Sequence, residues 1–198
     1  MKHIPNFITS LNLASGFISI IFIMNGDLIT ASWLILAAMI FDFLDGFSAR
    51  MLKAYSAIGK ELDSLADVVS FGVAPGLIIF RLLAESLQFP RQFTLTSDLL
   101  PSFILLCSAA LMPVCAGLRL AIFNIDETQA KSFKGLPTPA NALAVISIPF
   151  ALYFGNSEII KSLTGSPAAL AILTLILSLL MVSRIPLMSL KTTNLKFK

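Results

Sequence analysis

Four aspartates, Asp42, Asp45, Asp63 and Asp67, fall within the stretch DFLDGFSARMLKAYSAIGKELDSLAD, in a chain that is otherwise strongly apolar. A carboxylate in or beside a bilayer is expensive, so a cluster of this kind is read first as a functional site. Asp42 and Asp45 are three residues apart and Asp63 and Asp67 four apart; on helices, each pair shares a face. A short connection between the two helices makes them antiparallel neighbours and lets the faces converge. Carboxylates brought that close repel one another unless cations sit between them. Hard oxygen ligands favour Mg²⁺ or Mn²⁺, with Ca²⁺ also admissible, over zinc. Two such ions about 3.5–4 Å apart suit phosphoryl or pyrophosphate chemistry. Gly46 and Gly59 leave backbone room beside Asp45 and before Asp63, and Arg50, one turn past Gly46, could pair with a phosphate. Taken singly, each of these residues reads more readily as a helix cap, a solvated charge or a packing glycine. Their convergence on two helix ends favours a metal centre.

The elements that must position this cluster are membrane helices. The 198 residues are 57% hydrophobic and only 13% charged, where a soluble domain carries roughly 25% charged residues. The apolar runs define an all-α polytopic membrane protein with six transmembrane helices, over about 11–24, 28–45, 61–80, 99–118, 139–154 and 168–185. A short N-terminal interfacial segment containing Pro5 precedes the first span, and Pro113 is expected to kink the fourth. The first span is read as retained, since no small-residue cleavage site follows it. No linker, repeat or low-complexity tract divides the chain, so residues 1–198 are expected to form a single domain. Cys107 and Cys115 lack metal-ligand spacing and read as small core residues. With both termini in the cytoplasm, Lys2, Arg50, Lys53, Lys60, Arg119, Lys131, Lys134, Arg184, Lys191, Lys196 and Lys198 lie inside and only Arg81, Arg91 and Lys161 outside. That bias follows the positive-inside rule and puts the aspartates at the cytoplasmic face of the cell (inner) membrane.

The aspartate stretch also resembles the signature of the CDP-alcohol phosphotransferase family, D-x2-D-G-x2-A-R-x8-G-x3-D-x3-D. Asp42, Asp45, Gly46, Ala49, Arg50, Gly59, Asp63 and Asp67 occupy it with every spacing kept. The resemblance implies an integral-membrane enzyme with six spans, usually a homodimer, that moves a phosphatidyl group from CDP-diacylglycerol to an alcohol and releases CMP. By the same resemblance Asp42 would bridge two divalent cations, Asp45 would bind the first, Asp63 both, and Asp67 the second while acting as general base. Gly46 and Arg50, within a donor-side set that also takes in Ala49 and Gly59, would contact the CDP-lipid. Ser56 matches a small hydroxyl position on that donor. Asn6, Phe7, Ile8 and Thr9, within PNFIT, resemble the family's nucleotide-side motif P-N-x-x-T; on local grounds Asn6 or Thr9 is as readily a helix cap.

Three further stretches resemble the serine-using branch of the family. They are Val68-Val69-Ser70-Phe71-Gly72-Val73-Ala74-Pro75, then Arg119-Leu120-Ala121-Ile122-Phe123-Asn124, and Phe133-Lys134-Gly135-Leu136-Pro137-Thr138-Pro139-Ala140. The second departs from the pattern at Ile122, where a second arginine is common. The branch implies L-serine as acceptor; inositol, glycerol phosphate or choline are the alternatives. Arg119 could meet a carboxylate or a lipid phosphate, or be an ordinary juxtamembrane arginine. Asn124 could bond substrate or cap a turn. The expected partners are CDP-diacylglycerol, L-serine and the lipid bilayer, with no nucleic acid. A cation channel or transporter would hold its acids nearer the bilayer midplane, and a non-catalytic scaffold would not need them.

Overall fold

In a computed structural model, which describes residues 3–90, 92, 94–125, 135–183 and 185, the regular elements are helices. Helix α1 (Ile4–Asn25) begins with Pro5 in its first turn, where the missing N–H is no loss. The opening residues that read as a separate interfacial segment continue the same helix. Gly26, at φ 89°, ends it: the Gly26 and Asp27 amides donate to Ile23 (3.0 Å) and Phe22 (3.0 Å), the left-handed glycine closure of a helix. Asp27 then caps α2 (Leu28–Met51) by accepting from the Thr30 amide at 2.9 Å. Hydrogen bonds from Thr30 also hold the exposed Asp27 carboxyl below the usual carboxylate range. So tight a turn forces α1 and α2 antiparallel. Small residues let them close: Ser15 donates to the Leu34 carbonyl at 2.7 Å and Ser19 to that of Ala31 at 3.0 Å. Helix α2 passes Asp45, where its span was expected to end, so Gly46, Ala49 and Arg50 ride the same helix as Asp42 and Asp45.

Ser56 caps α3 (Ala57–Asp67) by accepting from Gly59 at 2.9 Å. The chain continues through a π-helical segment, Val68–Val73, into α4 (Ala74–Ser86), so that Ala57–Ser86 is one apolar rod of 30 residues. Pro75 accounts for the widened turn. It cannot donate and its ring crowds the carbonyl four residues back, at Phe71, while the Ala74 amide reaches back five residues to Val69. Helix α5 (Leu100–Cys107), a 3₁₀ turn at Ser108–Ala110 and α6 (Leu111–Ile125) make the next rod, Leu100–Ile125. The expected irregularity at Pro113 appears as that 3₁₀ turn: Pro113 cannot donate to the Ala109 carbonyl, and the Leu111 amide reaches that carbonyl instead. Helices α7 (Thr138–Phe154) and α8 (Glu158–Gly165) meet at 118°, and Ser166 caps α9 (Pro167–Val182).

The core surrounds the π segment and α4. Phe71, Ile78, Ile79 and Leu83 are fully buried there, packed with Ile35, Met112, Val145, Ile146 and Leu170. Cys115 is buried, but Cys107 is exposed on α5 and is not the core residue expected. Four helices, Ile4–Asn25, Leu28–Met51, Ala57–Ser86 and Leu100–Ile125, are long and apolar enough to cross a membrane; the bent α7–α8 pair would make a fifth, and α9 is shorter. The chain is therefore all-helical and built for a bilayer.

Candidate functional site

The ends of α2 and α3 bring the acids together. Carboxylate oxygens of Asp42, Asp63 and Asp67 lie within 4.8 Å of one another, and Asp42 and Asp63 stand within hydrogen-bonding reach of each other. Asp45 is 5% exposed and stands just outside the trio, close enough to act on Asp42, Asp63 and Asp67 electrostatically. Oδ1 of Asp63 and Oδ2 of Asp45 are buried without a hydrogen-bond partner among the described residues. Like charges so close in a medium of reduced dielectric need a proton or a cation between them. Orphaned carboxylate oxygens beside a three-acid cluster fit a hard divalent cation, so the cluster can hold a metal ion.

Asp67 is the most sheltered member of the trio, at 7% exposure, and it is also the most supported. The Asn12 amide of α1 donates to its Oδ1 at 3.3 Å. Asn12 is held in turn by the Ser70 hydroxyl, which donates to the Asn12 carbonyl at 3.1 Å. Gly16 permits this crossing, because a Cβ there would run into the Ser70 hydroxyl and stand 2.9 Å from the Ser70 Cα. The Val68–Val73 stretch, noticed in the sequence for its resemblance, is thus the wide turn that carries Ser70 under Asn12 just after Asp67. The charge of Asp67 reaches Arg119 on α6. Arg119 donates from Nη1 to the Thr138 hydroxyl at 3.3 Å, and its Nε is buried without a partner among the described residues.

Beside the acids opens a cleft of about 160 Å³, lined by Pro5, Asn6, Thr9, Asp45, Gly46, Ala49, Ala54, Tyr55, Ser56, Gly59, Lys60 and Asp63. It joins the N-terminal motif to the aspartate stretch. Gly59 is crowded there: a Cβ would stand 2.9 Å from Asn6 Oδ1 and 2.9 Å from Ser56 Oγ. Thr9, whose hydroxyl donates to the Pro5 carbonyl at 3.0 Å, lies against Asp45. Of the motif's other two residues, Phe7 is 64% exposed and Ile8 half-buried, and neither lines the cleft. Arg50 is exposed, with its guanidinium next to Gly46. Asn124 lies apart from the cleft. Its amide donates to Ser64 at 2.8 Å and its carbonyl accepts from Lys60 at 3.0 Å, so it ties the end of α6 to α3. Phe133 and Lys134 lie outside the described residues. Gly135, at φ 75°, sits beneath the carbonyls of Met181 (2.5 Å) and Ser183 (2.7 Å) from its Cβ position, so only glycine fits.

Sequence reasoning singled out none of Asn12, Asn141, Tyr55 and Lys60 as site residues, and met Thr138 only inside a motif. For Asn12 and Asn141 the signal was available, since an asparagine inside an apolar helix needs a reason. Tyr55 and Lys60 read as surface residues in a polar loop, and only the fold turns that loop over the cleft.

The site thus defines a class: a helical membrane protein with an acid cluster able to hold a metal beside a cleft made of small residues and hydroxyls. The chain belongs to the CDP-alcohol phosphatidyltransferase family, whose profile it matches over residues 2–190. It is 37% identical over 185 residues to the CDP-diacylglycerol–serine O-phosphatidyltransferase of Bacillus subtilis, covering 93% of this chain and 89% of that one. With the enzyme of the same name from Methanocaldococcus jannaschii it shares 35% over 182 residues, 92% of this chain and 72% of that one. With the archaetidylserine synthase of Methanothermobacter thermautotrophicus it shares 36% over 146 residues, 73% of this chain and 56% of that one.

Proposed function

We propose that this protein transfers a phosphatidyl group from CDP-diacylglycerol to L-serine, giving phosphatidylserine and CMP. The observation that carries the reading is the convergence of Asp42, Asp63 and Asp67 within 4.8 Å, next to a cleft lined by Asn6, Thr9, Gly46, Ala49, Ser56 and Gly59. The names of the relatives support serine as acceptor.

In this reading the cleft takes the cytidine and pyrophosphate of the donor. Gly46 and Gly59 leave backbone within reach of it, and Asn6, Thr9 and Ser56 offer polar atoms. Arg50, beside Gly46, pairs with a phosphate from the edge. Asp42, Asp45, Asp63 and Asp67 hold two divalent cations, Mg²⁺ or Mn²⁺. When bound, these ions neutralise the pyrophosphate and the charge that develops on departing CMP. Asp67 accepts the proton of the serine hydroxyl as its oxygen bonds to the β-phosphorus and the bond from that phosphorus to the CMP oxygen breaks. The Asn12 amide keeps the Asp67 carboxylate turned toward the acceptor, and the π segment keeps Asn12 in place.

The same reading gives the chain six crossings in a single domain: α1, α2, the α3–α4 rod, the α5–α6 rod, α7 and α9. Amphipathic α8 lies along the surface after its 118° bend, carrying the exposed Glu158–Lys161 pair at 3.1 Å. The basic residues then put the site at the cytoplasmic face of the cell membrane, in a protein that works as a homodimer. Membranes containing the protein, supplied with CDP-diacylglycerol and labelled serine, inositol, glycerol phosphate or choline in turn, test the function. Labelled phosphatidylserine and CMP are expected with serine alone, and EDTA should abolish both. Label entering lipid only from another alcohol would refute the acceptor, and CMP release indifferent to EDTA would refute the metal centre.

A further inference from the structure

One side of the site carries polar atoms that the acid cluster leaves unused. Asn141 on α7 is fully buried, and neither atom of its amide has a partner among the described residues. Arg119 Nε and Asn12 Oδ1 are buried in the same state. An unpartnered buried amide is costly and uncommon, and two unfilled positions on one side chain are more so. Asn12, Asp67, Arg119 and Thr138 form a connected set, and Asn141 extends it along α7. Asn12 donates to Asp67 at 3.3 Å, the charge of Asp67 reaches Arg119, and Arg119 donates to Thr138 at 3.3 Å. Asn141 stands three residues on from Thr138 along α7, on the same face of the helix.

The unused atoms have a definite chemistry. Arg119 Nε and Asn141 Nδ2 are donors; Asn12 Oδ1 and Asn141 Oδ1 are acceptors. A zwitterion fits such a set, because its carboxylate needs donors and its ammonium needs acceptors.

We propose that Asn141 and Arg119 recognise the backbone of an α-amino acid, and so select the acceptor. Arg119 Nε and the Asn141 amide N–H meet the carboxylate, Asn141 and Asn12 oxygens accept from the ammonium, and the hydroxyl is left facing Asp67. This assignment deepens the function proposed above and rests on it. An alcohol that lacks the carboxylate or the ammonium leaves buried groups unpaired, which is how a polar site rejects a close analogue.

Asn141→Leu tests the assignment, since leucine nearly matches asparagine in shape and removes both polar atoms. The full-length protein in detergent, with CDP-diacylglycerol and Mn²⁺, gives the KM of each substrate, and a thermal scan gives the melting midpoint. The expected result is a KM for serine raised about 10- to 100-fold by the loss of contacts to charged groups. The KM for CDP-diacylglycerol should stay within about twofold, and the midpoint should hold or rise, because unpartnered polar atoms have left the interior. A lowered midpoint with an unchanged serine KM would show that Asn141 serves structure alone, and a parallel rise of both KM values would place it elsewhere in the site; either overturns the proposal. If Asn141→Leu does not fold, Asn141→Ala gives the same KM comparison. Wild-type protein that uses serine while both variants keep its KM overturns this inference only. Wild-type protein that ignores serine and uses another alcohol overturns the proposed function, and this inference with it.

Discussion

Gly59→Ala separates the donor cleft from the rest of the molecule. The new methyl would stand 2.9 Å from Asn6 Oδ1 and 2.9 Å from Ser56 Oγ, and both are ends of side chains that can swing away. The effect on stability is therefore small. Loosening the Ser56 cap costs about 1 kcal/mol, and replacing a helical glycine by alanine returns about 0.5–1 kcal/mol. The two nearly cancel, so the melting midpoint should move by no more than about 2–4 °C. Function should respond far more. The swing takes Asn6 out of the cleft, and a lost hydrogen bond to a charged head group is worth about 1.5–3 kcal/mol, or roughly 10- to 100-fold in the KM for CDP-diacylglycerol. The KM for serine should not change. Initial rates with labelled serine and varied donor in detergent micelles read both constants. Gly117→Ala is the control, because nothing lies within 4 Å of a Cβ there; it should leave both KM values alone and stabilise α6 by about 0.5–1 kcal/mol. A Gly59→Ala protein with a wild-type donor KM would refute the reasoning from crowding to function.

Asp63→Asn should weaken Mn²⁺ binding by at least about tenfold, since it removes the charge of a carboxylate with a buried, unpartnered oxygen; titration calorimetry on the protein without substrate checks this, and unaltered binding would place the metal elsewhere. Gly16→Ala should destabilise the fold by about 1–3 kcal/mol, because its methyl would stand 2.9 Å from the Ser70 backbone, which cannot swing away. A melting midpoint that does not fall would show that α1 has room to move off the π segment.

The aspartate pairs were legible because helical spacing alone puts each pair on one face, and the apolar background made four acids conspicuous. The start of α2 was legible too, since Asn25-Gly26-Asp27 is a helix stop followed at once by a cap. Its far end was not. The apolar run ends at Asp45, where the span was expected to stop, yet the backbone stays helical to Met51. The trio at the heart of the site, with Asp45 to one side, depends on the rotation of α2 against α3, which no spacing along the chain encodes. Asn124 stood out because it shares a motif with Arg119; its contacts to Ser64 and Lys60 on α3 were not legible, because they depend on how α6 packs against α3. Asn12 was passed over because its partner, Asp67, lies on another helix.

The Gly135 amide donates to the carbonyl of Ile185 at 3.1 Å and the Leu136 amide to that of Leu180 at 2.9 Å. These two bonds fasten the approach to α7 onto the C-terminal end of α9, and Thr138, the partner of Arg119, follows two residues after Leu136. During synthesis the acids emerge early, but these bonds close only once α9 has been made and packed. A ribosome-bound intermediate would then carry the acidic half of the machinery without its cationic half. Competence would arrive all at once, with the packing of α9.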